Sequence, residues 1–257
     1  MIGPYSVNQM DDFYAALSRG EVKPTGIMNY VQRLFIAERC PAGAAVVDVC
    51  CGRGLQLPVL IRYAPHVGRY VGLDISPRNL DEAGHRIADL DHSMGRCFPI
   101  ELIECDVAGQ WPELAPFDVA VYTSALEHLP REHGVASLRN TSAALRPGGV
   151  MFLSTPNTPG PAPRPLQHRV HVYEWSSDEL LPVLADCGFA VQDVVGLLPP
   201  VSADISEIIS TAYGPAAARW YDRMRQVVPE PFLGPAVASA LPAHAAEVLY
   251  VCTREQR

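Results

Sequence analysis

The chain predicts an α/β fold in which strands alternate with helices around a mostly parallel sheet, and three observations carry the prediction. Apolar runs of strand length alternate with helix-length amphipathic stretches from residue 45 to residue 154. The first run, Val46-Val47-Asp48-Val49-Cys50-Cys51-Gly52-Arg53-Gly54, ends in an acid and a glycine pair. A second, Tyr70-Val71-Gly72-Leu73-Asp74-Ile75-Ser76, ends in another acid about twenty residues later. A glycine turn at a helix start, beside two carboxylates at strand ends, suits a ribose-bearing ligand.

Taken in order, helices are expected over 9–20 and 25–40, forming an N-terminal helical cap within 1–40. The second carries Ile27, Tyr30, Val31, Leu34 and Phe35 at helical spacing. Strand 45–50, helix 54–64, strand 69–73 and helix 77–91 follow, the last opened by Pro77 after Ser76. Then come strands 98–104 and 117–122, helix 131–146, which Gly148-Gly149 ends by allowing positive φ, and strand 149–154. Together these make a ligand-binding core over 41–157. The segment Asn157-Thr158-Pro159-Gly160-Pro161-Ala162-Pro163-Arg164-Pro165 is too rich in proline for a helix or central strand. It reads as a loop at the C-terminal edge of the sheet, where substrates bind. Helix 177–187 and strands 189–196 and 247–253 complete the chain. Between those strands, residues 199–245 show helical patterning in Ile205, Ile208, Ile209, Trp220, Tyr221 and Met224. This stretch reads either as a helical lid over an acceptor site or as a stabilising or dimer-forming appendage.

A chain of 257 residues, 48% hydrophobic, is long enough for one globular domain with a substantial core. The net charge of −8 opposes a polyanionic partner, because nucleic-acid binders present a basic face. No basic region precedes an apolar leader and no run reaches membrane-spanning length, so a cytoplasmic location without membrane contact is expected. Cysteines at 40, 50, 51, 97, 105, 187 and 252 have no C-x-x-C spacing and predict neither a zinc site nor a disulfide framework. No other cluster has metal-ligand spacing, which makes a metal-free mechanism the expectation.

A dinucleotide fingerprint would have a third glycine where this chain has Leu57, and Asp48 would repel a pyrophosphate but attract a cationic ligand. The motif instead resembles that of the class I S-adenosylmethionine-dependent methyltransferases, acid-x-G-x-G with variable spacing, with Cys50 where many members have glycine. The resemblance continues in order through Asp74, Asp106-Val107, the strand Phe117-Asp118-Val119-Ala120-Val121-Tyr122, and Leu145-Arg146-Pro147-Gly148-Gly149. It implies a Rossmann-like, seven-stranded, mostly parallel sheet with helices on both faces and an antiparallel last strand. It also implies an in-line displacement that moves a methyl group from S-adenosylmethionine and leaves S-adenosylhomocysteine. Under this resemblance Asp48, Cys50, Gly52 and Gly54 would hold the methionine end, which Ser124 and Ala125 would line. Asp74 would bond the ribose hydroxyls, Asp106 the adenine amino group, and Ile75 and Val107 would sandwich the base.

For the acceptor, His128 in Glu127-His128-Leu129 is the leading base, since imidazole accepts a proton near neutral pH. His171 is the second candidate, and with Tyr173, Glu174 and Trp175 it mixes aromatic and titratable groups as an acceptor pocket would. Trp175 before Ser176-Ser177-Asp178-Glu179 also fits a hydrophobic staple at a helix start. Tyr14 on the cap is a further candidate contact. The reading is methyl transfer to O or N of a small molecule. An arginine-rich composition with Lys23 as the only lysine, which GC-rich codon usage would give, and analogy suggest secondary metabolism as the setting. The run Cys50-Cys51-Gly52-Arg53-Gly54 is also similar to messenger-RNA cap guanine-N7 methyltransferases, and a protein that binds S-adenosylmethionine without turnover is a third reading.

Overall fold

The valines of Ala45–Val49 form β1, buried along its whole length, because β-branched side chains suit a strand covered on both faces. It pairs in parallel with β2 (Arg69–Asp74) on one side and, on the other, with β4 (Phe117–Thr123). With β3 (Ile100–Glu104), β5 (Leu145–Pro156), β6 (Phe189–Leu198) and β7 (Glu247–Arg254), the sheet runs β3-β2-β1-β4-β5-β7-β6. The strand β7 runs against β6: the Ala246 amide donates to the Leu198 carbonyl and the Glu255 amide to the Gly188 carbonyl. This is the expected seven-stranded, mostly parallel sheet with antiparallel last strands. The chain moves outward from β1 to β3 and returns to β4, so the C-terminal ends of β1 and β4 flank the point where strand order reverses.

The computed structural model describes residues 19–21, 24–200 and 204–255. Most of the expected helix over 9–20, and Tyr14, lie outside them. The described residues form two compact units, one of 33–194 with 249–255 and one of the described residues up to 32 with those between 195 and 248. Helices α1 (Pro24–Ala37), α2 (Leu57–Tyr63), α3 (Pro77–Met94), α4 (Arg131–Ala144) and α5 (Ser177–Asp186) fill the connections. Ser76 caps α3 by accepting the Asn79 amide, and Ser176 caps α5 by accepting that of Glu179. In the second unit, α6 (Ile205–Tyr213), α7 (Pro215–Met224) and α8 (Glu230–Ser239) share a small core of Ile209, Tyr221, Leu233, Val237 and Leu241. No helix among the described residues is long and apolar enough to cross a membrane.

Two elements differ from the sequence expectation. The helix α4 ends at Ala144, and Leu145 is already extended, with φ −80° and ψ 151°. The positive φ of Gly148 therefore sits inside β5, where the β4 register shifts between Phe117 and Val119, and terminates no helix. In α1 the buried positions include Met28, Asn29, Gln32, Ile36 and Ala37, while Val31 is exposed. A hydrogen bond of 2.8 Å from Gln32 Nε2 to Asn29 Oδ1 pairs these polar side chains on the buried face, which an apolar-stripe reading passes over.

Beneath the glycine turn, Gly72 of β2 faces Cys51 and Leu102: a Cβ there would lie 2.8 Å from Cys51 Sγ and 3.0 Å from Leu102 Cδ2. Gly72→Ala is therefore expected to lower unfolding free energy by about 1–3 kcal/mol. Adding Cys51→Ala should restore part of the loss, since it removes the nearer clash. Urea unfolding of the single and double variants checks this, and equal stability of Gly72→Ala and wild type refutes it.

Candidate functional site

The chain leaves β1 through Cys50, Gly52 and Gly54, with φ of 58°, 55° and 69°. The left-handed backbone explains the glycines and shows why the position of Cys50 favours glycine as well. A Cβ on Gly52 would meet no heavy atom within 4 Å, so the turn opens onto free space, whereas one on Gly54 would meet Leu57 Cδ1 at 3.0 Å. The first glycine leaves room for a ligand and the second lets the turn pack onto α2.

Asp74, at the end of β2, holds this turn in place. Its Oδ2 accepts the Gly52 amide at 2.9 Å, and its Oδ1 accepts the Ser76 amide at 2.9 Å and Asn79 Nδ2 at 3.1 Å. Oδ2 keeps lone-pair capacity for a ligand hydroxyl. Asp48 lies in the sheet, level with Gly72 and Val121, and its Oδ2 accepts the Tyr70 hydroxyl at 2.6 Å. Burial pushes its carboxyl up to about 7, against the opposing pull of Tyr70 and Arg33. Ile75 is 65% exposed and Val107 is buried. Asp106 is exposed, and its Oδ1 takes the Ala108 amide at 3.0 Å, closing a local turn. Ser124 follows β4 with φ 50°, its amide bonded to the Ser154 carbonyl at 3.0 Å, and Ala125 beside it is buried.

The second half of the site forms where a short 3₁₀ turn, Leu126–His128, meets the segment after the proline-rich loop. The Glu127 carbonyl accepts the amides of Val172 and Tyr173, at 2.8 and 3.1 Å. This brings His128 and His171 together, with ring centroids 5.1 Å apart, edge to face. His128 Nδ1 bonds the Val170 carbonyl at 3.2 Å, while its Nε2 is 3.9 Å from Glu127 Oε1. Burial pushes the His128 imidazole down to about 4, so it is neutral at physiological pH. His171 Nδ1 pairs with Glu174 Oε1. Burial acts to raise the Glu174 carboxyl, but hydrogen bonds from Thr158, the Gln167 amide and His171 outweigh it and hold the group below its ordinary value. Glu127 Oε2 accepts the Thr155 hydroxyl at 3.2 Å. One ligand-type atom each from Glu127, His128 and His171 lie within 4.8 Å of one another.

His128 and His171, both anticipated, thus converge, and Glu174, anticipated in one cluster with His171, pairs with it three residues along the chain. Thr155 and Thr158 were not singled out, since their role comes from contacts between segments more distant in sequence. Spacing along the chain likewise hides the Glu127, His128 and His171 group, because more than forty residues separate the two histidines. The other aromatic candidates sit elsewhere. Trp175 is 1% exposed, with its ring against Gly134, and behaves as core. The Tyr173 hydroxyl donates to Glu179, which also binds Arg131 and Arg164.

The sequence profile described as "Methyltransferase domain" matches residues 24–194. The chain is 33% identical over 159 residues to a ubiquinone biosynthesis O-methyltransferase of Xylella fastidiosa, covering 60% of this chain and 61% of that protein. It is 29% identical over 210 residues to the protein of the same name from Xanthomonas axonopodis pv. citri, covering 74% and 84%. The chain therefore spans less than two thirds of the first relative's length. Among solved structures it is similar in fold to a Burkholderia thailandensis 1,6-didemethyltoxoflavin-N1-methyltransferase, crystallised with that compound and S-adenosylhomocysteine. The TM-score is 0.56 and the identity 20%, over 96% of this chain and 87% of that one. The [4+2]-cyclase SpnF gives a TM-score of 0.57 at 18% identity, over 89% and 82%.

The raised carboxyl of Asp48 has a consequence for stability. A buried acid whose folded value of about 7 exceeds its unfolded value near 3.8 favours folding below pH 4, and the advantage is lost as pH rises toward 7. Relative to Asp48→Asn, which cannot titrate, the ligand-free wild type should gain melting temperature as pH falls from 7.5 to 5. A pH-independent difference between the two melting curves would show that Asp48 is already ionised in the folded state.

Proposed function

This chain belongs to the methyltransferase domain family, of the class I, S-adenosylmethionine-dependent kind, and on that premise we propose that it methylates a hydroxyl oxygen of a small-molecule acceptor. The observation that carries the proposal is the cluster of Glu127, His128, His171 and Glu174 at the carboxyl edge of β4 and β5. A hydroxyl must lose its proton as it attacks, and this is the group of titratable side chains beside the ligand-binding turn. The names of the curated relatives, O-methyltransferases at about 30% identity, support oxygen as the receiving atom.

The residues fit the cofactor on the structure's own terms. The space above Gly52 admits the methionine end, Asp74 Oδ2 has acceptor capacity for a ribose hydroxyl, and exposed Ile75 offers an apolar face for the base. When bound, S-adenosylmethionine supplies a methyl group already activated by the sulfonium. The chain's remaining task is to align and deprotonate the acceptor while excluding water. His171, held through Nδ1 by Glu174, and His128, a neutral imidazole beside it, are the chain's groups placed to direct the loss of that proton. A net charge of −8 disfavours an RNA acceptor.

Calorimetric titration should show S-adenosylmethionine and S-adenosylhomocysteine binding, with no binding of NAD. Asp74→Ala should weaken the first two by on the order of 2 kcal/mol, roughly thirtyfold, because a charge-assisted bond is lost and the turn loses its anchor. Incubation with methyl-labelled cofactor and a panel of phenols, catechols and amines, read by mass spectrometry, should place the label on oxygen. Label found only on nitrogen, or only on RNA, would overturn the acceptor assignment.

A further inference from the structure

We propose that Glu127, His128 and His171 form a binding site for one first-row divalent cation of the zinc type. The donor set is two imidazoles and one carboxylate, which suits such ions and leaves coordination positions open for a substrate oxygen. The spacing is near what one ion needs: ligands about 2.1 Å from a tetrahedral ion stand about 3.4 Å apart. At 3.9 Å, His128 Nε2 and Glu127 Oε1 are too far apart for a hydrogen bond and about 0.5 Å wide of that spacing. The widest separation in the trio, up to 4.8 Å, has to close by about 1.4 Å, shared between two side chains that can each rotate.

The surroundings match a built site better than a chance cluster. Metal-binding histidines give their second ring nitrogen to a carboxylate or a backbone carbonyl, which fixes the ring and orients the ligating nitrogen. Both arrangements occur here: His171 Nδ1 meets the Glu174 carboxylate and His128 Nδ1 meets the Val170 carbonyl. The ligand carboxylate is oriented in the same way, since Glu127 Oε2 takes the Thr155 hydroxyl while Oε1 is directed to His128. Glu174 is in turn held by the Thr158 hydroxyl and the Gln167 amide. The imidazoles are partly exposed, at 19% and 13% of their side chains, so a small acceptor can reach the ion.

The cation's use rests on the methyltransferase reading above, but its binding does not. An acceptor hydroxyl bound to the cation gives up its proton to water, and its oxygen forms the new bond to the methyl carbon. The carbon–sulfur bond breaks with its electron pair going to sulfur, so charge and atoms balance with no other co-reactant.

The test uses the full chain without a histidine tag, stripped with chelator and dialysed. Titration with Zn²⁺, Mn²⁺ and Mg²⁺ by calorimetry should show one equivalent of Zn²⁺ or Mn²⁺ binding more tightly than Mg²⁺. His171→Ala, and independently the isosteric Glu127→Gln, should weaken that affinity by at least about tenfold while S-adenosylhomocysteine still binds. The second variant preserves volume in case the first disturbs the fold. Absence of stoichiometric binding, or binding unchanged in both variants, overturns the site. With an acceptor in hand, chelation should abolish methyl transfer and Zn²⁺ or Mn²⁺ restore it; transfer unaffected by chelation overturns the cation's role. Cation binding without any transfer to hydroxylated acceptors sustains the site and instead defeats the acceptor reading.

Discussion

Three donors converge on one carboxylate at the centre of this molecule: the Gly52 amide from the turn after β1, and the Ser76 amide and Asn79 side chain from the start of α3, all bonded to Asp74. Two strand-to-helix connections are thereby fixed to the end of β2. A carboxyl group accepting several amide hydrogen bonds in a largely buried setting makes some of the strongest polar contacts available to a fold. The turn, whose Cys50 and Gly52 occupy left-handed backbone, is closed by the Gly54 amide on the Cys51 carbonyl at 3.0 Å, and Asp74 adds the bond that ties Gly52 to β2. Asp74 is thus structural before it is functional, and a ligand hydroxyl would take the acceptor capacity that remains.

The described residues with positive φ other than glycine are Cys50 and Ser124, and they follow the neighbouring central strands β1 and β4. Strain of this kind costs on the order of 1–3 kcal/mol per residue and persists where the surroundings over-determine the backbone. Both positions lie where strand order reverses. At Ser124 the strain redirects the chain at once into the Leu126–His128 turn, which delivers Glu127 and His128 to the sheet edge. The same geometry that opens a cradle after β1 therefore presents titratable side chains after β4.

Much of the turn proposed for the cofactor was legible in the sequence because its parts are local. Asp48, the two glycines and Asp74 lie within or just after apolar strands, and a parallel sheet places strand ends side by side whatever the loops do. The histidine cluster was legible in His128, in His171 and in Glu174 three residues on. What holds it together was not: Thr155 bonds Glu127 and Thr158 bonds Glu174 across 28 and 16 residues of chain, and no periodicity reports such contacts. Aromatic character misled at Trp175, where the capping serine that follows describes a staple and the ring is core. The early start of β5 was hidden for another reason. Arg146-Pro147-Gly148-Gly149 carries a helix-stop signal, yet tertiary pairing with β4 recruits it into the strand, with the register shift absorbing the misfit.

The acceptor side is coupled to the loop that borders it through backbone as well as side chains. Because the Glu127 carbonyl accepts both the Val172 and Tyr173 amides, His171 cannot move away from His128 unless two main-chain hydrogen bonds break. Arg164 within the loop bonds the Glu174 carbonyl and Glu179, tying the same segment to the start of α5. The distance between the two imidazoles is therefore set by the scaffold, with little left to side-chain chance. A base that works alone gains nothing from a second neutral imidazole held at 5.1 Å, since that neighbour neither orients it nor raises its basicity. Two ligands of one ion do need such a fixed separation, and a carboxylate behind one ring with a carbonyl behind the other supplies it. The rigidity of the pair is thus better explained by a shared ligand than by two independent bases.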